Sequence, residues 1–485
     1  MRYGSKAGWI STRAFSSVIP QRENIAFTSP LAHIPLWRLD TRYSLSQNRT
    51  MASAKSIQLS VEDSGVFSSN PRADSAKKAS QLLQEDMKSH HIFFNDSGFH
   101  NHTVHHVLSI FALGASPENI QSAYDRAAEY QRPARPVNED IVKKLSNRDE
   151  FKALAGTREA YPHFLEFFQR EIEARGTEAV VNEYIFAGDE FADDMLARTF
   201  GGLVHPFIHL GFALEFKQPA LVAQALAQTA VHEPNMKGFL MSAEKQAGGV
   251  GQTGKKSLIE LQAECRADPR VRDSAHWSDT NKFFDGVLKR APEEMAKIAG
   301  EFTVGPDQIE ERVAELINAV VYYTGAAQNP PKKIKFDFFY IHCVNSAIFL
   351  PVFLAFPWIS RHNKQRLLEW KGRMDLLTYV SRGDVEPRIN EITDYKPVRS
   401  WHEVFTTAFV NKKEDGHAAK LMRTLAYAEK ACKRYENKDG FLVKGDMWLK
   451  LGNMVADSIQ GPERLWVMST GFPEAWEDIP DRPRL

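Results

Sequence analysis

Cysteine is scarce. The 485 residues hold only Cys265, Cys343 and Cys432, an odd set that cannot make a disulfide framework and that favours a reducing, cytoplasmic location. Charge of one sign is not in excess either: 61 Lys and Arg balance 61 Asp and Glu, so neither nucleic acid nor an anionic membrane is favoured as a partner. Alternating strand patterns of any length are missing, which leaves no case for a doubly wound parallel sheet. No internal repeat of fixed period is found. One apolar run, residues 338 to 359, has the length of a membrane span, but it contains His342, Asn345, Pro351 and Pro357. It reads as a buried core helix that breaks near Pro351, and no membrane span is expected.

Several familiar chemistries are missing as motifs. H-E-x-x-H and G-x-S-x-G do not occur, and the cysteine spacing cannot make a zinc knot. Glu414 to His417 is one Glu-x-x-His pair, whereas a di-iron carboxylate bundle needs two. Gly249-Val250-Gly251-Gln252-Thr253-Gly254 matches G-x-G-x-x-G letter for letter. The apolar strand that must precede a phosphate-binding loop is absent, so this segment is expected to be a mobile loop or lid between helices.

What is present is helical punctuation. Ser116-Pro117-Glu118 opens a helix to about Tyr130, the preceding helix ends at Gly114, and Ile309, Val313, Leu316, Ile317 and Val320 make an amphipathic face. Further helices are expected over 162–175, 219–231, 257–266 and 366–381. With 43% hydrophobic and 25% charged residues, the body is expected to be all-α, a single large helical domain over residues 56–480 with a short tail at 481–485. Residues 1–50 hold seven basic residues and two acidic ones. Segment 1–55 therefore reads as an unstructured leader, with a mitochondrial transit segment as the alternative.

Histidine is the abundant reactive residue: there are 16. His102, with His105 and His106 one turn on, opens an apolar helix; His205 follows Gly201-Gly202 and precedes Pro206, with His209 one turn further; His342 lies in a fully apolar stretch; and His417 follows Glu414-Asp415-Gly416. Imidazoles from separate helices are what a metal site inside a bundle uses, and three or more suit iron, copper or zinc rather than calcium or magnesium.

The ordered set Phe99-His100-Asn101-His102, Gly201-Gly202-Leu203-Val204-His205-Pro206, Ile341-His342-Cys343-Val344 and Asp415-Gly416-His417-Ala418-Ala419-Lys420 resembles the questin oxidase-like family of fungal secondary-metabolite enzymes. The resemblance spans roughly residues 75–480, including Gly471-Phe472-Pro473-Glu474-Ala475-Trp476. It implies oxidative, Baeyer–Villiger-like opening of an anthraquinone-type polyketide ring by dioxygen. It also implies a non-haem iron held by His102, His205, His342 and His417 with a carboxylated Lys420, and a catalytic domain over 56–480. His417 and Lys420, three apart on a helix, share a face; a shielded lysine has a lowered pKa, and its neutral amine can take up carbon dioxide. Lys371, between Glu369 and Asp375, is the competing lysine and is expected to make ordinary solvated ion pairs. His106 and His209 are candidates for catalytic or substrate-binding roles. Phe207, Phe212, Phe349 and Phe353 are either a stacking pocket or, the preferred reading, plain core. NADPH is a candidate external reductant. Two alternatives stand beside the metal-dependent oxygenase: an NADPH-dependent Baeyer–Villiger oxidase without bound metal, and a non-catalytic helical binding protein with structural histidines.

Overall fold

A computed structural model describes residues 52–483; the basic segment 1–50 lies outside the described residues. Capping chemistry sets the helix boundaries. Helix α1 (Ala73–Ser89) is followed by α2 (Thr103–Ala112) and α3 (Pro117–Ala128), the last opened by the Ser116 hydroxyl, which accepts from Asn119 N. Gly114 at φ 92° makes the turn between α2 and α3. Then come α4 (Tyr161–Ile185), interrupted at Gly176, α5 (Gly201–Glu215) and α6 (Pro219–Ala230). Ser257 forms a reciprocal capping box with Glu260 ahead of α7 (Leu258–Ala267), and α8 (Ile309–Ala326) follows.

The apolar run divides into α9 (Phe338–Ala347) and α10 (Phe349–Ala355). The break falls at Ile348 rather than at Pro351, which occupies the first turn of α10, where a missing N–H costs nothing. Most of this run, 83% of Phe338–Ala355, is buried inside the protein. Helix α11 (Arg361–Ser381) crosses the interior, and α12 (His417–Cys432) and α13 (Met447–Ser458) close the body. Among the described residues, strand structure amounts to two-residue segments, β1 (Phe336–Asp337) paired in parallel with β2 (Trp466–Val467). The fold is all-α.

Helices α2, α5, α9 and α12 form a closed circuit in which each touches the next: α2 with α5, α5 with α9, α9 with α12 and α12 with α2. One hydrophobic core surrounds the circuit and extends from Ala54 to Trp466. Ala54 is buried at the edge of the segment expected as leader, and at the other end Arg482 N donates to Pro331 O at 2.7 Å.

Candidate metal centre

Each helix of the circuit contributes one histidine. His102 sits at the N-cap of α2. His205 follows a left-handed turn at Gly202, Leu203 and Val204 (φ 51°, 56° and 58°). Such angles are uncommon for leucine and costly for β-branched valine, on the order of 1–3 kcal/mol per residue. The turn carries His205 Nδ1 to within 2.6 Å of Gly202 O, and Pro206 then starts the right-handed helix. Gly202 admits no side chain: a Cβ there would lie 2.5 Å from His232 Nε2. His342 Nδ1 bonds Phe338 O at 2.6 Å, and His417 Nδ1 bonds Asp415 Oδ1 at 2.6 Å.

The four rings close on one another. Centroids are 5.0 Å apart for His102–His205, 5.0 Å for His205–His342, 4.9 Å for His342–His417 and 4.7 Å for His417–His102. Donor atoms of His102, His205 and His417 all lie within 4.8 Å of one another.

The hydrogen bonds decide the tautomers. Carbonyl and carboxylate oxygens only accept, so Nδ1 of His205, His342 and His417 carries the proton and Nε2 of each neutral ring is a lone pair. Yet Nε2 of His342 and of His417 face each other at 3.3 Å. Two lone pairs at that distance repel, and a shared cation would relieve that repulsion. A proton is disfavoured, because burial lowers the pKa of all four imidazoles, those of His102, His205 and His342 far below the usual range. The donor set therefore fits a transition-metal ion.

Lys420, 2% exposed, belongs to the same surroundings: its charge is among the causes that depress His102, His205, His342 and His417. Its Nζ has no hydrogen-bond partner among the described residues. Burial lowers its pKa to about 8, against the opposing charges of Asp415 and Glu414. Glu414 is committed elsewhere, accepting from Gly416 N at 2.9 Å, Ala418 N at 2.6 Å and Ala419 N at 3.3 Å, and so caps α12.

The two expected catalytic histidines lie outside the four-ring circuit. His106 packs against Gly416, and burial lowers its pKa to about 3. His209, lowered to about 4 by burial, meets His105 at 5.2 Å, and His105 in turn stands 6.0 Å from both His102 and His205. Both ring nitrogens of His105 are without partners among the described residues, while His209 has Gln224 as a neighbouring hydrogen-bonding group.

Sequence reasoning missed His100 and His232 as site residues. His100 stacks on His205 at 4.1 Å, and its Nε2 lies 2.8 Å from His232 Nε2. The His100-x-His102 spacing is a signal for the former; nothing in the sequence around His232 marks it.

A cavity of about 480 Å³ reaches this centre, with His102, His205, His100 and His232 in its wall and aromatic faces from Phe283 and Phe339. Phe207, Phe212, Phe349 and Phe353 do not line it. They are buried and pack on one another, Phe207 with Phe353 at 5.1 Å and Phe212 with Phe349 at 4.7 Å. Core is the correct reading of those four.

Two expectations are corrected. Lys371 is not solvated: it is fully buried on α11, paired with Asp375 and donating to Cys343 O at 3.2 Å. Its neighbour Glu369 pairs with Arg373 instead. The glycine-rich loop is tethered rather than free, with Gly251 N donating to Glu369 Oε1 at 3.1 Å and Gly254 N to Gln308 Oε1 at 2.8 Å. Amides so engaged cannot cradle a phosphate.

Comparison with known proteins identifies the family. The questin oxidase-like family model matches residues 99–425. A protein named Baeyer-Villiger oxidase ptaJ from Pestalotiopsis fici is 39% identical over 442 residues, 88% of this chain and 99% of the relative. Questin oxidase of Aspergillus fumigatus is 38% identical over 444 residues, covering 89% and 100%. Baeyer-Villiger oxidase mdpL of Emericella nidulans is 34% identical over 443 residues, covering 88% and 99%. A full-length match of this strength, over the segments that carry the four convergent histidines, makes this chain a member of the questin oxidase-like family and an oxidoreductase.

Proposed function

We propose that the protein is a metal-dependent, non-haem iron oxygenase that opens a ring of an anthraquinone-type polyketide in a Baeyer–Villiger-like reaction. The observation that carries this reading is a group of four buried histidines beside an aromatic-lined cavity: donor atoms of His102, His205 and His417 lie within 4.8 Å of one another, His342 Nε2 stands 3.3 Å from His417 Nε2, and His102 and His205 reach the cavity wall. His102, His205, His342 and His417 would hold the iron, with Lys420 as an oxygen ligand once its neutral amine has added to carbon dioxide and released a proton. When bound, iron supplies dioxygen activation. The protein's own groups do the rest. Gly202 O, Phe338 O and Asp415 fix three imidazoles in one tautomer, and the surrounding core buries all four rings. Phe283 and Phe339 give the cavity an aromatic wall against which a flat ring can pack. NADPH serves as external reductant if the reaction is a monooxygenation.

The test is elemental analysis of purified protein, followed by dioxygen uptake with an anthraquinone, with and without NADPH. About one iron per chain and substrate-dependent uptake are expected. Stoichiometric flavin in active protein without a transition metal would overturn the reading.

A further inference from the structure

The cavity carries a charge imbalance that the metal centre does not use. Arg158, Lys282 and Arg382 line it against a single carboxylate, Glu233. None of the three cations forms an ion pair among the described residues. Arg158 is exposed and donates to Asp96 O at 2.6 Å, and Lys282 donates to the backbone oxygens of Trp277 at 2.7 Å and Asp279 at 3.1 Å.

Arg382 is the unusual one, because it is 4% exposed. A guanidinium so buried is ordinarily paired with a carboxylate, since an unpaired interior charge is strongly destabilising. Its hydrogen-bond partners among the described residues are hydroxyls, Ser381 Oγ at 3.1 Å from Nε and Ser469 Oγ at 3.3 Å from Nη1. A guanidinium has five N–H groups, so donors at Nη1 and Nη2 are left over. Asp337 is the carboxylate whose charge most favours that of Arg382, yet the two share no hydrogen bond or ion pair: Asp337 Oδ1 accepts from Phe339 N and Tyr340 N, and Oδ2 from Thr470 N. The guanidinium carbon lies 3.8 Å from the Phe339 ring centroid and 5.2 Å from that of Phe283. A planar cation with spare donors thus stands between aromatic faces in the wall of a cavity. That is the arrangement that recognises a flat aromatic ring bearing an anionic oxygen group.

Resting on the oxygenase reading above, we propose that Arg382, supported by Lys282, is the anion anchor of the cavity, and that the substrate is bound as an aromatic carboxylate or acidic phenolate. The anchor orients the ring relative to His102 and His205. A nicotinamide dinucleotide phosphate is the other anion such a residue could meet. The small, aromatic-walled cavity favours the aromatic acid.

The experiment uses full-length metal-loaded protein and two matched probes, anthraquinone-2-carboxylate and the neutral anthraquinone-2-carboxamide, titrated calorimetrically, with adenosine 2′,5′-bisphosphate as a third. Wild type should prefer the carboxylate by about ten- to hundredfold, the range expected for hydrogen bonds to a charged group. Arg382→Gln should abolish that preference, leave carboxamide binding within about twofold, and leave metal content unchanged. Arg382→Lys, which keeps charge but loses the planar fork, should give an intermediate preference and guards against failure of the glutamine variant to fold. Equal wild-type affinity for the two anthraquinones, or equal weakening of both by Arg382→Gln, overturns the anchor while leaving the oxygenase reading intact. Tight bisphosphate binding that depends on Arg382 overturns it in favour of the dinucleotide. Binding of neither anthraquinone to metal-loaded wild type overturns the oxygenase reading, and the anchor with it.

Discussion

Burial acts on individual side chains in opposite ways, and the difference is measurable. At Lys420 it lowers the pKa to about 8, so that a neutral fraction of the amine is available to react with carbon dioxide on the reading proposed above. Replacing His102, His205, His342 or His417 by Ala should sharply lower metal content, as should Lys420→Ala, while His90→Ala and His276→Ala should not. Lys420→Arg should fail to restore metal, because guanidinium stays charged. Full occupancy in two or more of the four histidine variants would sink the ligand assignment. At Lys371 the same burial makes an ion pair that cannot be halved: Lys371→Ala strands Asp375, whose pKa burial already raises to about 6. The expected loss is about 3–5 kcal/mol of stability by denaturant titration. Sequence did not disclose this, since acidic neighbours at i−2 and i+4 look the same on a solvated face and inside a core. What decides is the packing around α11, which is non-local.

Asp384 gives a pH test. Burial, opposed by the charge of Arg266, raises its pKa from 3.8 to about 7. Between those values the folded protein keeps a proton that the unfolded chain has lost, so this group's contribution falls as pH rises from about 4 and its cost is complete above 7. Asp384→Asn should therefore raise the melting midpoint at pH 8, by at most roughly 4 kcal/mol of stability, and should change little at pH 4. Asparagine also tolerates the left-handed φ of 46° at this position. An equal shift at both pH values would contradict the titration.

At the scale of elements, helix starts were legible and the devices that aim the ligands were not. Ser116, Ser257 and the Pro residues at first turns declare their helices through local chemistry. The left-handed turn over Gly202, Leu203 and Val204 has no such signature beyond its glycine pair, because the leucine and valine are held there by surrounding structure against their own preference. Gly416 is comparable, with φ 105° and His106 Cβ 2.8 Å from where its own Cβ would stand. Gly416→Ala should displace the start of α12, reducing metal content severalfold while far-ultraviolet circular dichroism keeps its helical shape. Unchanged metal content in that variant would show that the turn can relax without moving His417.

For the whole molecule, the sequence disclosed which residues belong together through their order and their resemblance to a family, but not that they meet. Convergence depends on α2, α5, α9 and α12 touching in a ring, a product of core packing between segments as distant as residues 102 and 417. The cavity is the least legible feature, since Phe283, Arg382 and His232 come from segments without catalytic signature. Metal removal tests the architecture at this scale. A cation held by four separate helices binds the native state and not the unfolded chain, so an occupied site at a hundredfold excess over Kd adds about 2.7 kcal/mol. Because the ligands lie inside the main hydrophobic core, that energy should appear in the global transition rather than in fraying of one helix. Chelation should lower the melting midpoint by a few degrees, and metal should restore it. In His342→Ala the chelator should have no further effect, while the metal-free wild type and that variant should melt close together. Loss of bound metal without any change in the wild-type midpoint would mean that the Nδ1 hydrogen bonds to Gly202, Phe338 and Asp415 hold the ring of helices without help from the ion.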